Sequence, residues 1–271
     1  MNDGKDLARR TWGASPTGVS HAKVYQFGTR EYFETSLTFR ENIEQPWLFK
    51  LIPFNSFSGK RVLEIGFGPG FDTYYFMKAG AEYSGIDITP ENVVRTKNHM
   101  AAYGFEPDVS EGDAENLGYK DDSFDIVYSN GVLHHTPDMP QAFREAYRVL
   151  KPGGAFYVIV YHRNSIYYRL SNPISALLRG RTPKKQIRYI EANDPNLLPI
   201  VNVYSRSELC SILINTGFEV EDVSVRKLTA TEFPLSSVLA PVYRLIFRPP
   251  LLEWLGQRFG WYIIARARKA L

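Results

Sequence analysis

The chain has 271 residues, of which 44% are hydrophobic and 23% charged, and its formal net charge is +3. These ordinary globular values exclude a disordered, collagenous or disulfide-rich chain, and the charge alone implies no surface for a polyanion. The single cysteine, Cys210, rules out an internal disulfide and a site with several thiolate ligands, and we expect no metal ion. One value is high, because aromatic residues make up 14% of the chain.

The first residues lack the apolar run of a signal peptide. No stretch reaches the roughly 18 apolar residues that a transmembrane helix needs. The sequence therefore predicts a cytoplasmic protein.

The order of the elements predicts an α/β fold. Residues 1–60 lie outside any strand–helix alternation and are predicted to form a helical N-terminal lid. Residues 61–271 alternate short apolar strands with helices, which is typical of a Rossmann-like, doubly wound and mostly parallel sheet of seven strands. The strands are predicted near residues 60–65, 83–88, 107–110, 124–129, 155–161, 218–226 and 261–267. The main helices are predicted to begin near residues 71, 90, 139 and 206.

Capping residues mark three of these helix starts. Thr89 and Pro90 open the second helix, Asp138 is a candidate N-cap for the third, and the Ser205–Glu208 segment forms a capping box for the fourth. The second helix is predicted to carry the following residues on one face: Val93, Val94, Lys97, Met100 and Ala101.

Two segments interrupt the alternation and are predicted to be insertions. Residues 163–203 contain scattered Pro and Tyr, and residues 228–256 are apolar and amphipathic with arginines interspersed. The second insertion could lie on an anionic membrane, cover the core or form a dimer interface, so the sequence leaves open a peripheral membrane contact and a monomeric or homodimeric state.

The sharpest motif, EIGFGPG at 64–70, follows the first strand. Glycines at a strand-to-helix turn let the backbone approach a ligand closely. A nicotinamide dinucleotide is disfavoured, because Phe71 stands where its fingerprint needs a third glycine and Pro69 lacks an amide that could hold a phosphate. Glu64, at the strand end, indicates instead a ligand that carries positive charge.

Two more carboxylates follow the next strands. Asp87 ends the second strand, where a carboxylate can accept hydrogen bonds from a ribose diol. Asp113 follows the third strand, where an exocyclic adenine amine could be read. Because ligands bind at the carboxyl ends of parallel strands, these residues predict a nucleoside with a cationic, phosphate-free tail.

With these motifs the chain resembles the class I S-adenosylmethionine-dependent methyltransferases, especially the branch similar to ubiquinone and menaquinone C-methyltransferases. The matching segments are VLEIGFGPG at 62–70, GIDIT at 85–89, EGDAENL at 111–117, FDIVYSNGVLHHTPD at 124–138 and RVLKPGG at 148–154. They occur in the order of the family and span about residues 62–160, and the C-terminal FGWYIIARARK matches more weakly.

This resemblance implies that S-adenosylmethionine is the cofactor. The three loop glycines would approach its methionine part, Asp87 would hold the ribose hydroxyls, and Asp113 with the Ala114 amide would hold the adenine. The cofactor-binding residues implied in this way are Glu64, Gly66, Phe67, Gly68, Gly70, Asp87, Ile88, Asp113, Ala114, Glu115, Asn130 and Val132.

His134 and His135 follow the fourth strand, whose end faces the methyl acceptor in this family. A histidine of ordinary pKa, about 6.5, can accept a proton from a hydroxyl, an amine or an acidic carbon. Each is therefore a candidate catalytic base, although the pair could instead shape the loop. Direct in-line transfer from a sulfonium needs little beyond alignment.

The acceptor is predicted to be a hydrophobic or aromatic small molecule that is methylated at O or C. Aromatic residues cluster in the lid, at the end of the fifth strand and in the first insertion, and such rings attract cations and form apolar walls. The candidate substrate-binding residues are Tyr25, Tyr32, Tyr161 and Tyr167.

Other functions fit the same residues. A small-amine N-methyltransferase, a membrane-associated quinone or lipid methyltransferase, and a cofactor-binding scaffold without turnover remain alternatives. Nucleic acid is disfavoured as the acceptor, because the SNGV segment at 129–132 replaces the Asn-Pro-Pro-Tyr type of motif that stacks a flipped base.

Overall fold

The computed structural model describes residues 3–14, 25–26, 28–191 and 199–271, which form one seven-stranded sheet covered by helices. The strands are β1 (Arg61–Ile65), β2 (Glu82–Asp87), β3 (Asp108–Glu111), β4 (Phe124–Asn130), β5 (Leu150–Tyr161), β6 (Phe218–Arg226) and β7 (Tyr262–Lys269). Their order in the sheet is β3-β2-β1-β4-β5-β7-β6. Strands β1 to β5 are parallel, and β7 is antiparallel to β5 and β6. The predicted fold class is confirmed.

Helices precede the sheet and fill the connections between its strands. The described residues form α1 (Asp3–Ala14), α2 (Arg30–Phe39), α3 (Leu48–Leu51), α4 (Phe71–Ala79), α5 (Pro90–Ala101), α6 (Met139–Val149), α7 (Asn172–Leu178), α8 (Pro183–Glu191), α9 (Arg206–Thr216), α10 (Ser236–Ile246) and α11 (Pro249–Phe259). The described residues before β1 are largely helical, as predicted. The predicted insertions contain α7 and α8, and α10 with most of α11.

Both faces of the sheet are buried, because helices cover each of them. Neighbouring residues of β1 point to opposite sides: Val62 belongs to one hydrophobic core, and Leu63 and Ile65 belong to the other. The first core extends to the helices before β1, with Phe33 among its fully buried residues. The second includes Phe143 of α6.

The predicted capping residues of α6 and α9 are confirmed. The Asp138 carboxylate accepts a hydrogen bond from the Gln141 amide at 3.0 Å. Ser205 and Glu208 form a reciprocal capping box at the start of α9. Thr89 stands at the N-cap position of α5, but its side chain makes no capping hydrogen bond there.

The structure departs from the sequence-based elements in two places. β5 begins at Leu150 rather than Ala155, and residues 151–154 bulge from it, since Phe124 pairs with Leu150 and Ile126 with Ala155. The predicted apolar face of α5 is wrong at Val94, which is 59% exposed, and at Ala101, which is also exposed. Its buried residues are Asn92, Thr96, His99 and Met100. This face is largely polar because it packs against the backbone of the glycine-rich turn.

The carboxyl ends of β1, β2, β4 and β5 lie along one edge of the sheet, as parallel strands require. Tyr262, the first residue of β7, pairs with the last residue of β5 and with the last residue of β6. The first predicted insertion therefore begins at this edge, after β5, and the second connects the end of β6 to the start of β7 at the same edge. Among the residues that the structure describes, no helix is long and apolar enough to cross a membrane.

Candidate functional site

A cavity lies at this edge of the sheet, between the turn after β1 and the N-terminal helix α1. Its walls come from the ends of β1, β2 and β4, from the segment after β3, and from three residues of α1. The lining includes Lys5, Ala8, Trp12, Arg40, Glu64, Gly66, Phe67, Gly68, Asp72, Asp87, Ile88, Asp113, Ala114, Glu115, Asn130, Val132 and His135. Of the twelve predicted cofactor-binding residues, only Gly70 is not part of this lining.

The glycines of the turn have different physical roles. Gly66, Gly68 and Gly70 all have positive φ, a conformation that other residues rarely adopt. A Cβ at Gly66 would overlap the side chain of Val132, and one at Gly70 would come within 2.8 Å of the Thr96 methyl. A Cβ at Gly68 would meet no atom within 4 Å. Two glycines thus allow close packing, whereas Gly68 faces open space.

Asp87 ties the turn to the start of α5. One of its carboxylate oxygens accepts from the Gly68 amide at 2.8 Å, and the other accepts from the Thr89 amide at 2.9 Å. Burial raises the pKa of Asp87, and these amide hydrogen bonds oppose that rise. The carboxylate therefore lies at the end of β2, as predicted, and its orientation is set by the backbone.

Glu64 is almost completely buried at the end of β1. Its Oε2 accepts hydrogen bonds from the Tyr83 hydroxyl at 2.7 Å and the Thr73 hydroxyl at 2.8 Å. Burial, followed by the nearby Asp72 carboxylate, raises the pKa of Glu64 to about 8. A cation placed beside Glu64 would favour its ionised form, which agrees with the positive ligand that the sequence indicates.

Asp72 is buried and forms an ion pair with Arg40; sequence reasoning missed both residues. The Arg40 guanidinium binds both oxygens of Asp72, at 2.7 and 2.8 Å. Tyr128 and Asn130 also donate to this carboxylate, at 2.7 and 2.9 Å. Burial would lower the pKa of Arg40, but the Asp72 and Glu44 carboxylates raise it overall. Arg40 lies in a π-helical turn (Arg40–Glu44) after α2, where no motif marks it.

At the other end of the cavity, Lys5 of α1 bridges two carboxylates. Its ammonium lies 2.6 Å from both Asp113 and Glu115. Burial would lower the pKa of Lys5, but hydrogen bonds to both carboxylates raise it overall. Asp113 also accepts from the Glu115 amide at 2.9 Å. The predicted adenine position is therefore covered by a lysine that the sequence did not single out.

The two histidines differ in their access to the cavity. His135 lines it, and the Trp12 ring packs against the His135 ring at 4.8 Å. His134 is fully buried between His135 and Tyr161 and is absent from the lining. Burial lowers the pKa of both, that of His135 to about 4.

A hydrogen bond identifies the nitrogen of His135 that could accept a proton. Nδ1 lies 2.6 Å from the Ile200 carbonyl oxygen. Because a carbonyl oxygen can only accept, Nδ1 carries the hydrogen and Nε2 keeps its lone pair. His135 is neutral near pH 7 and can accept a hydrogen bond or a proton at Nε2.

None of the four tyrosines proposed for the acceptor belongs to the described lining of the cavity. Tyr25 is exposed, and Tyr32 is buried beside Phe33. Tyr161 packs against His134, and Tyr167 stacks on Trp261 at 4.4 Å. The aromatic residues of the lining are instead Trp12, Phe67 and Phe71. The cavity gives the predicted tyrosine wall no support, because those rings pack into the core or lie outside the cavity.

Comparison with known proteins agrees with this geometry. The family described as "Methyltransferase domain" matches residues 63–158. The chain is 29% identical over 168 residues to a ubiquinone biosynthesis O-methyltransferase of Xanthomonas euvesicatoria, covering 62% of this chain and 66% of that protein. It is 37% identical over 99 residues to a phthiotriol/phenolphthiotriol dimycocerosates methyltransferase of Mycobacterium leprae, covering 36% of each. The chain thus spans just under two thirds of the first relative's length and about a third of the second's.

The fold agrees as well. A crystal structure of an S-adenosylmethionine-dependent methyltransferase from Mesorhizobium loti superimposes with a TM-score of 0.56 at 21% identity, covering 83% of this chain and 97% of that one. Residues 63–158 are thus similar to methyltransferase domains, in agreement with the class to which the sequence motifs point and with the S-adenosylmethionine cofactor that this resemblance implies.

The two kinds of glycine predict that one added methyl group acts mainly on stability at Gly66 and mainly on cofactor binding at Gly68. Gly66→Ala should lower the Tm by at least about 4 °C, because its Cβ overlaps Val132. Gly68→Ala should lower it by no more than about 3 °C, yet weaken S-adenosylmethionine binding by about tenfold, because the methyl enters the cavity. Thermal unfolding and calorimetric titration of both variants test this. Equal stability losses, or unchanged affinity in Gly68→Ala, would contradict it.

Glu64 predicts a pH-dependent affinity. Below pH 8 its carboxyl is mostly protonated, and binding of a cationic ligand favours release of that proton. The affinity for S-adenosylmethionine should therefore rise by up to about tenfold per pH unit from pH 6 to 8 and level off above pH 8. Titration in buffers of different ionisation enthalpy measures the released proton. Glu64→Gln is the control, and a pH profile that keeps the same slope in this variant would refute the assignment.

Proposed function

We propose that the protein transfers a methyl group from S-adenosylmethionine to a hydrophobic or aromatic small molecule, at oxygen or carbon. One observation carries the proposal: a single cavity brings together the carboxylates of Glu64, Asp87 and Asp113 with Trp12 and His135. The carboxylates suit a cationic nucleoside, and the other two side chains suit an apolar acceptor with one proton to lose.

The residues of the cavity fit the cofactor. The Gly68 position opens on free space, so a ligand can approach the backbone there. Asn130 Oδ1 is buried and has no hydrogen-bond partner among the described residues, so it can accept from an ammonium group. Glu64 supplies a carboxylate whose ionisation a cation favours. When bound, S-adenosylmethionine supplies a methyl group that is already activated by a sulfonium.

The chain's own contribution is alignment and the exclusion of water. Asp87 and Asp113 would bind the nucleoside through charge-assisted hydrogen bonds, and Glu64 would balance positive charge near the glycine turn. Trp12 and the rest of α1 close one side of the cavity. Holding two reactants in line in this way supplies much of the rate. His135 Nε2 would accept the proton that the acceptor loses.

The partners of the cavity carboxylates favour an acceptor without a cationic amine. Glu64 is bound by Tyr83 and Thr73, Asp87 by two backbone amides, and the other lining carboxylates by Arg40 or Lys5. With Glu64, Asp87 and Asp113 assigned to the cofactor, the other acidic residues of the described lining are Asp72 and Glu115, which are paired with Arg40 and Lys5. No carboxylate of this described lining is then left to bind an ammonium acceptor. A hydroxyl or an acidic carbon on an apolar molecule therefore fits better, and the two relatives described above, a ubiquinone biosynthesis O-methyltransferase and a dimycocerosates methyltransferase, support this choice.

Labelled cofactor tests the proposal. The protein is incubated with methyl-labelled S-adenosylmethionine and pooled phenols, quinols and fatty acids, and the products are separated by mass spectrometry. Transfer of the label to an apolar acceptor supports the proposal. Transfer to an amine, or calorimetric binding of the cofactor with no transfer to any acceptor, would contradict it, the latter favouring a scaffold without turnover.

The histidines predict different effects of the same substitution. His135→Phe should lower kcat by about 100-fold, with cofactor affinity changed less than about twofold, since a general base contributes about that much. His134→Phe should lower the Tm and change kcat less than about threefold, since His134 lies outside the cavity. Wild-type kcat should show no inflection near pH 6.5, because the pKa of His135 is about 4. Equal kcat losses in the two variants would overturn this role of His135.

A further inference from the structure

Helices α10 and α11 bury very little of their apolar surface. Among the described residues, no residue of α10 is buried, although most of them are apolar. Val238, Leu245 and Ile246 of α10 are 75%, 73% and 59% exposed, and Trp254 of α11 is 49% exposed. Helices normally turn an apolar stripe towards a core, so an apolar helix with no buried residue indicates a surface that something else covers.

The first insertion extends this surface. Leu177 and Leu178, at the end of α7, are 80% and 67% exposed. The two insertions are joined directly, because the Ser171 hydroxyl donates to the Glu232 carbonyl oxygen. We call the exposed apolar residues of α7, α10 and α11 the apolar surface. The segments that carry it leave and rejoin the sheet at the edge where β5 ends and β7 begins, which is also the edge that holds the cavity.

Basic residues surround the apolar surface. Residues 163–203 contain seven Lys and Arg but two Asp and Glu, whereas the whole chain has 32 against 29. Arg179 follows Leu178, and Lys184 and Lys185 are exposed on α8, which contacts α7. Arg244 and Arg248 are exposed among the apolar residues of α10 and α11, together with one acidic residue, Glu253. Neither Arg244 nor Arg248 forms an ion pair within the described part of the chain. A partner with negative charge and an apolar interior complements both features.

From this geometry we infer that the apolar surface docks onto the anionic face of a phospholipid bilayer. A second copy of the chain fits less well, because a two-fold interface would bring together two surfaces that carry the same excess of positive charge. In a bilayer, the apolar side chains enter the acyl boundary while the arginines and lysines stay among the phosphate groups.

Ring contacts lead from this surface towards the cavity. Trp261, directly after α11, stacks on Tyr167 and lies 5.9 Å from the Tyr161 ring. Tyr161 in turn packs against His134, which packs against His135 at the cavity wall. A docked protein would place the cavity edge near the membrane, so an apolar acceptor could reach it without crossing water. This delivery rests on the proposed function, whereas the docking itself does not.

Co-sedimentation with vesicles tests the docking. Wild-type protein should bind vesicles of phosphatidylcholine with about one third phosphatidylglycerol at least tenfold more tightly than pure phosphatidylcholine vesicles, with most of the difference lost at about 0.5 M salt. Ile246→Glu should weaken binding by about tenfold or more. Ile214→Glu is the matched control, because Ile214 is 60% exposed and lies on α9, which is not part of the apolar surface. Vesicle binding of this variant should equal that of the wild type.

The charges need a separate pair of variants. Arg244→Gln with Arg248→Gln should weaken binding to the anionic vesicles by about 25-fold, because each arginine near such a surface contributes roughly fivefold. Equal binding to both vesicle types, equal losses in Ile246→Glu and Ile214→Glu, or a wild-type dimer in solution that Ile246→Glu dissociates would each overturn the docking.

Failure of the docking and failure of the proposed function give different results. Calorimetric titration of Ile246→Glu with S-adenosylmethionine, together with methyl transfer to a water-soluble acceptor, reports on the cavity alone. Transfer in wild type and Ile246→Glu, with no vesicle binding by wild type, would refute the docking only. Vesicle binding by wild type without any methyl transfer would refute the proposed function and leave the docking supported.

Discussion

Three carboxylates, those of Glu64, Asp72 and Asp87, are almost completely buried beside the carboxyl ends of β1, β2 and β4. Negative charges so close together in a region of low dielectric are costly unless each is compensated. The fold compensates each in a different way. Asp72 receives a guanidinium and two neutral donors, Asp87 receives two backbone amides, and Glu64 keeps a proton. The placement of α2, of the glycine turn and of α5 follows from these requirements.

The same arrangement gives the site its preference for a cation. Arg40 and the backbone amides compensate Asp72 and Asp87, whereas the pKa of Glu64 is raised to about 8, so its charge changes readily when a cation binds nearby. A positive ligand is therefore favoured by a proton that leaves rather than by a negative charge held permanently in an apolar wall. Glu64 can therefore be buried in the free protein and still suit a sulfonium ligand.

The sequence predicted the parts of the structure that depend on local patterns. Alternating apolar strands, the capping residues Asp138 and Ser205, and the acidic residues after each strand all describe short stretches of chain, and the structure agrees with them. Arg40 and Lys5 could not be predicted, because their carboxylate partners lie 32 and 108 residues away. The face of α5 was mispredicted for a related reason: Thr96 and His99 contact the carbonyl oxygens of Gly68 and Pro69, so that this helix buries polar side chains. The tyrosines show that composition indicates how many rings a chain has, and not which of them reach a cavity.

Helix α1 contributes three residues to the cavity, yet it is anchored almost entirely by polar contacts. Lys5 binds Asp113 and Glu115, Arg9 binds Glu111, and Arg95 donates to the Gly13 carbonyl oxygen, whereas only Ala8 and Thr11 of its described side chains are buried. A segment with so little buried apolar surface can detach at a free energy far below that of global unfolding. The contacts that hold α1 over the cavity are therefore weakened by salt, whereas the buried apolar core of the sheet is not.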